Sequence, residues 1–161
     1  METIDMNGYG SHLPLLDMLF KSFKIKKVIE FGCGDFSTSF FLSKNASLIS
    51  IEMQDPAWAD KISKEHKIDV HKCIGPHEYK KLAVDWKCDL AFIDGHAESR
   101  PEVVNFMFGK AKIIVAHDYQ KTAFYGWQRM AKHEDYHMII FAADKRSSVC
   151  FIHNSMLLNK F

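Results

Sequence analysis

The stretch VIEFGCGDFSTSF, residues 28–40, joins an apolar run to an acid, two glycines one residue apart and a cluster of small hydroxyl side chains. Val28–Phe31 reads as a strand, Gly32-Cys33-Gly34 as a tight turn, and Asp35 or Ser37 as the cap of a helix whose buried face would carry Phe36, Phe40 and Phe41. A strand that turns straight into a helix leaves backbone N–H groups free at the helix start, and glycine lets that backbone approach a ligand closely. About 20 residues further on, the apolar run SLISIE (47–52) ends in Glu52, whose carboxylate at the C-terminal edge of the neighbouring strand can accept hydrogen bonds from both hydroxyls of a ribose. The two features together point to a nucleoside. The competing explanation is that the glycines serve the turn alone.

Outward from this stretch the pattern alternates. Further β-branched runs, DVHKCI (69–74), DLAFID (89–94) and KIIVAH (112–117), are separated by amphipathic segments. Proline opens three of these, at Pro56, Pro76 and Pro101, where a missing N–H costs a helix nothing. The segments PAWADKISKEH, PHEYKKLAVDW and PEVVNFMFG are therefore predicted to be helices, with Trp58, Ile62, Tyr79, Leu82, Ala83 and Trp86 at helical spacing in the core. The segment QKTAFYGWQRMAKHEDY is read as a further amphipathic helix, with Lys121, Arg129 and Lys132 on a solvated face. The end of the chain differs: YHMIIFAAD and SSVCFIHN flank a short KR turn with no helix between, the signature of an antiparallel hairpin at one edge of the sheet. Ahead of the first strand, residues 1–25 form a helical entry that Ser11 can cap. The fold class expected is α/β: a single Rossmann-like, doubly wound, mostly parallel sheet spanning residues 1–161, closed by that antiparallel hairpin.

Composition narrows the function. The 161 residues are 47% hydrophobic, enough for one sizeable core, and the formal net charge of +1 supplies no field to draw in nucleic acid or an anionic membrane. The four cysteines lie far apart with no CxxC spacing, which favours a reduced, cytoplasmic setting over a disulfide or zinc framework. No apolar run reaches the roughly 20 residues that span a bilayer.

EFGCG, SIE, FIDGH and IIVAHD, in that order at successive strand ends, together with the reversed last strand, resemble the class I S-adenosylmethionine-dependent methyltransferases, and loosely those that act on oxygen of small molecules and sugars. The resemblance covers about Lys26 to His153. It implies S-adenosylmethionine as cofactor, with Glu30 organising the loop, Gly32, Cys33, Gly34, Ser37 and Thr38 around the methionine end, Glu52 on the ribose, and Met53, Ile74 and Gly75 bordering the adenine. Asp94 would stand between cofactor and acceptor. A dinucleotide oxidoreductase would more often keep a third glycine where Ser37 stands, and the tetrapeptide of nucleic-acid amino-methylating enzymes is replaced by IDGH, so base methylation is disfavoured.

Chemistry should gather beyond the fourth and fifth strands, where Asp94, His96 and Arg100 follow one and His117, Asp118 and Tyr119 the other. His96 is the first candidate for a base and His117 the second, oriented by Asp94 and Asp118. Arg100 and Tyr119 would receive the substrate. Asp94 and Asp118 are also candidate ligands of a divalent cation such as Mg²⁺. Tyr9, Ser11 and His12 can fold over the amino-acid end of the cofactor. With so little chain outside the sheet, the pocket for a small-molecule substrate would be shallow or completed by a second copy in a homo-oligomer. Methyl transfer to a small or medium-sized acceptor, at oxygen, is the leading expectation; a non-catalytic cofactor-binding partner and an NAD-dependent oxidoreductase are the alternatives.

Overall fold

Apolar runs with no polar alternation can be satisfied only where both faces of a strand are covered. In a computed structural model, which describes residues 10–120, 122–142 and 146–158, such runs occupy the middle of one seven-stranded sheet of order β3-β2-β1-β4-β5-β7-β6. β1 (Lys27–Phe31) lies between β2 (Ser47–Glu52) and β4 (Cys88–Ile93); β3 (Val70–Lys72) flanks β2, and β5 (Ala111–His117) flanks β4, all parallel. β7 (Ser147–His153) runs antiparallel to both β5 and the edge strand β6 (Tyr136–Ala142), as the hairpin pattern requires. Tyr9, Lys121 and Lys145, to which sequence reading also assigned places, lie outside the described residues.

Val28, Ile29 and Phe31 of β1, Leu90 to Ile93 of β4 and Ile113 to Ala116 of β5 are all fully buried. One face packs Leu15, Leu16 and Leu19 of α1 (Leu13–Ser22) and Phe41 of α2 (Ser37–Ser43) against Phe92 and Val115. The other gathers Phe31, Ile51 and Tyr79 with Val103, Val104 and Met107 of α4 (Arg100–Met107). α3 (Pro56–His66) begins where Asp55 accepts the N–H groups of Ala57 and Trp58. No helix among the described residues is long and apolar enough to cross a membrane.

Several local expectations are corrected. PHEYKKLAVDW is not a helix: a single 3₁₀ turn, Glu78–Lys81, gives way to extended backbone at Leu82. Aromatic packing overrides the helical spacing, because Tyr79 and Trp86 both wrap Phe31 at ring separations of 5.5 and 5.9 Å and meet Phe106 at 5.3 and 5.2 Å. The region after β5 is likewise broken at Gly126, φ 67°, into the short helix α5 (Thr122–Tyr125) and a 3₁₀ turn, Trp127–Arg129, so no basic helix face forms there. DVHKCI shrinks to the three residues of β3, and a short helix, α6 (Asn154–Leu158), follows β7 unannounced. Neither Ser11 nor Ser37 caps a helix; His12 and Phe36 hold the cap positions without a side-chain bond, and Phe36 is 45% exposed rather than buried.

The chain leaves β1 toward β2 and returns to the opposite side at β4, so a crevice opens where these connections diverge. There Gly32 has φ +89°, and a Cβ on it would lie 2.5 Å from the Gly95 backbone, whereas a Cβ on Gly34 would meet nothing nearer than the Ser37 hydroxyl at 3.7 Å. Gly32 is required by the fold; Gly34 is not. Gly32→Ala should therefore cost on the order of 3 kcal/mol or prevent folding, while Gly34→Ala should change stability by less than about 1 kcal/mol, as read from urea unfolding.

Candidate active site

The acid in EFGCG works beneath the loop. Glu30 is fully buried in β1, and its carboxylate accepts hydrogen bonds from Ser37 Oγ, from Thr38 Oγ1 at 2.8 Å and from Ser50 Oγ at 2.8 Å. Thr38 Oγ1 also accepts the Gly34 N–H at 3.1 Å, so the glycine loop is pinned to the strand through one hydroxyl. The small hydroxyls of the opening stretch thus replace water around a buried acid. Burial pushes the Glu30 carboxyl up to about 7 against the opposing pull of the three hydroxyl donors.

Above this loop lies a cavity of about 350 Å³. Gly32, Cys33, Gly34 and Ser37 line one side and Asp94 another, together with His12, Phe36 and Trp58. Trp58, expected in the core, is instead held on the rim by its indole N–H, which donates to the Cys33 carbonyl at 2.8 Å. Of the remaining expected cofactor residues, Thr38 serves Glu30. Glu52 is buried behind Cys33: its Oε1 accepts the N–H groups of Met53, Gln54 and Asp55 at 3.0, 2.9 and 3.2 Å, and its Oε2 lies 3.6 Å from the Cys33 thiol. Met53 is buried, its sulfur 3.2 Å from where a Cβ on Gly95 would stand, so it supports the Gly32–Gly95 crossing from below. Ile74, 76% exposed, and Gly75 follow β3 outside the cavity walls.

The loops after β4 and β5 are locked by Arg100. A guanidinium has five N–H donors, and here five acceptors surround it: the Gly95 carbonyl on Nε at 3.1 Å, the His117 carbonyl and Asp118 Oδ2 on Nη1 at 3.0 and 3.2 Å, and the Asp94 carbonyl and Oδ1 on Nη2 at 3.3 and 3.1 Å. Its plane also lies 4.4 Å from the centre of the Tyr125 ring. The expectation that Arg100 receives a substrate anion gives way to this structural role, since its donors are spent within the protein. Asp118, in left-handed backbone at φ 59°, is equally committed: Oδ1 accepts from Arg146 at 2.9 Å and Gln120 at 3.2 Å, Oδ2 from Arg100 and from Tyr125 Oη at 3.1 Å. Burial works to raise its carboxyl, but His117, Arg100 and the other donors outweigh that and hold it down at about 2. The Asp94–Asp118 pair is therefore not disposed as two open metal ligands. Tyr119 packs its ring 5.5 Å from that of Trp127.

His117 and Asp94 do meet. His117 Nδ1 lies 3.2 Å from Asp94 Oδ1, and its Nε2 lies 2.8 Å from Ser11 Oγ. This order, hydroxyl to imidazole to carboxylate, matches an activated serine in outline, but Ser11 is buried and absent from the cavity wall, so it anchors the imidazole instead. His96 stands outside this group; its carbonyl accepts from the Ser99 amide and hydroxyl. The residue that sequence reading undervalued is His12. It is buried against the rings of His117 and Phe92 at 4.9 and 4.8 Å and lines the cavity, and burial lowers its pKa to about 4 despite the nearby Asp94 carboxylate. The sequence places it only among residues able to fold over the cofactor, not beside Asp94 and His117, because these contacts join residues 80 or more positions apart.

No family model and no curated protein matches the sequence. Solved structures do match the fold. A Klebsiella pneumoniae protein proposed to be an O-methyltransferase superposes with a TM-score of 0.69 at 12% identity, over 92% of this chain and 83% of its own. The N-methyltransferase NodS from Bradyrhizobium japonicum WM9 gives 0.60 at 14% identity, over 89% and 94% of the two chains. The fold is that of the class I S-adenosylmethionine-dependent methyltransferases. The Podospora anserina methyltransferase PaMTH1, bound to S-adenosylhomocysteine, shares it with a TM-score of 0.59 at 15% identity, over 81% and 72%. In this methyltransferase fold the cavity sits at the switch point between β1 and β4.

Two measurements check the electrostatics of the loops. Arg100→Gln strands Asp94 and Asp118 without their common cation and should destabilise the protein by about 3–5 kcal/mol in urea unfolding. For Glu30, the folded pKa of about 7 lies above the ordinary 4.5, so the folded chain keeps a proton that the unfolded chain releases between those values. Its contribution is fully present below about 4.5 and is lost as pH rises to about 7. Glu30→Gln should flatten that part of the stability profile.

Proposed function

We propose that this chain transfers a methyl group from S-adenosylmethionine to oxygen of a small or medium-sized acceptor. The observation that carries the reading is the glycine loop: Gly34 is not needed by the backbone or the packing, and its missing side chain leaves room in the wall of the cavity that Asp94 also lines. The bound cofactor supplies an electrophilic methyl group on a sulfonium. The chain's residues supply position. The Gly32–Gly34 backbone and Trp58 frame the ligand, and Glu52, with Oε1 held by three backbone amides, keeps Oε2 as the oxygen that can take a ribose hydroxyl once the Cys33 thiol yields it. Of Asp94 and His12, on the opposite wall, Asp94 accepts the one hydrogen bond that an acceptor hydroxyl can donate and takes its proton as the new O–CH3 bond forms and the S–CH3 bond breaks, while His12 packs beside it; alignment of the hydroxyl is where most of the rate of a direct displacement can come from. His96, outside this group, is not needed in that arrangement.

Calorimetry with S-adenosylmethionine, S-adenosylhomocysteine and NAD in parallel tests the proposal. The first two should bind and NAD should not. Gly34→Val should weaken binding at least tenfold by filling the wall, and Glu52→Gln should weaken it through loss of charge-assisted bonds of roughly 1.5–3 kcal/mol. Binding of NAD alone, or unchanged affinity in both variants, overturns the reading.

A further inference from the structure

A buried imidazole normally has a hydrogen-bond partner. His12 does not: it is 2% exposed, and among the described residues neither Nδ1 nor Nε2 has one, although the ring lines the cavity. A buried imidazole without a protein partner beside a second imidazole and a carboxylate asks for an ion between them. Donor atoms of His12, Asp94 and His117 all lie within 4.8 Å of one another. Within the group, His117 Nδ1 and Asp94 Oδ1 are 3.2 Å apart, close to the roughly 3.3 Å edge of a tetrahedron of ligands about 2.0–2.1 Å from zinc.

We propose that His12, Asp94 and His117 form a binding site for Zn²⁺ or a transition ion of similar preference, with its open position facing the cavity. The donor set selects the ion. Two imidazoles and one carboxylate suit zinc and its neighbours, whereas Mg²⁺ prefers oxygen ligands and Asp118, the nearby carboxylate that would add one, has both oxygens occupied. The ligands come from three separately anchored elements: the N-terminal boundary of α1, the end of β4 and the end of β5. The supporting contact is also present. Ser11 Oγ, 2.8 Å from His117 Nε2, can donate or accept. Without an ion, the hydroxyl donates to Nε2 and Nδ1–H donates to Asp94. With an ion on Nδ1, the proton sits on Nε2 and the hydroxyl turns to accept it, as the outer partners of metal-bound histidines do. Arg100 shares Asp94 Oδ1 at 3.1 Å and opposes a cation, so the ion should be exchangeable rather than permanently held. The open position falls where the acceptor hydroxyl was placed above, but the site itself depends on neither cofactor nor acceptor.

Titration of chelator-stripped protein with Co²⁺, read by its visible d–d absorption, tests this directly. One equivalent should bind and be displaced by Zn²⁺ but not by Mg²⁺. His12→Ala should lower Co²⁺ affinity at least tenfold, and Ser11→Ala about tenfold. His12→Cys keeps a ligand and should add a thiolate-to-cobalt charge-transfer band, a signature that a purely structural histidine cannot produce. A second group, the exposed Asp35 and Glu65 with the half-buried His66, serves as the control: His66→Ala should leave the spectrum unchanged. No Co²⁺ absorption in the parent protein, a spectrum lost on His66→Ala but kept on His12→Ala, or a His12→Cys protein without the new band overturns the proposal. Because no methyl donor is present, failure here leaves the methyl-transfer reading standing, and the reverse.

Discussion

Everything at the working edge of this protein depends on how closely two glycine backbones pass. Gly32, at the end of β1, and Gly95, after β4, approach so tightly that neither site has free room for a side chain, and Met53 closes the contact from below. Because β1 and β4 are the strands at which the chain changes direction across the sheet, this contact fixes the floor of the crevice. Asp94 immediately precedes Gly95, and Cys33 and Gly34 immediately follow Gly32, so a rigid crossing sets the distance between the two walls of the cavity. A loop held this way is preorganised at no cost when a ligand arrives.

A second layer of rigidity comes from charge. Arg100 distributes four hydrogen bonds over Asp94, Gly95, His117 and Asp118, adds an ion pair to the Asp94 carboxylate, and thereby couples the β4 loop to the β5 loop. Burying so many charged groups is tolerable only because each has its partner; the cluster contributes uniqueness of geometry more than net stability. Its consequence is selective. Arg100 and Asp118 are consumed as scaffold, whereas Asp94 and His12 line the cavity together with Asp35 and Ser37 of the glycine loop. Of the polar residues after β4 and β5, most hold the site and few face it.

The edges of the sheet are treated differently from its centre. β4 and β5 are covered on both sides, whereas β6 carries Met138, Ile139 and Ile140 about half exposed on the outermost strand. The switch from a parallel to an antiparallel neighbour at β7 lets the last two strands follow one another with only residues 143–146 between them, too few for another crossover helix.

How much of this was legible in the sequence depended on the range of the interaction. The alternation of runs, the strand–turn–helix reading of VIEFGCGDFSTSF and the terminal hairpin were all legible, because periodicity and turn chemistry are local and the sheet obeys them. The density of polar groups beyond β4 and β5 was legible too. The division of labour among them was not. That Ser37 and Thr38 serve a buried Glu30, that Tyr79 and Trp86 sacrifice a helix to wrap Phe31, and that Arg100 is spent on backbone and carboxylates are outcomes of packing between distant segments. His12 shows the limit most clearly. Alone it is one histidine before a helix; only the closure of α1 over the ends of β4 and β5 sets it beside Asp94 and His117. Local sequence determines which elements form, since φ/ψ preference and hydrophobic period act over a few residues. Which side chains share a cavity is decided by tertiary contact, since burial and pairing act between residues that only the finished fold brings together.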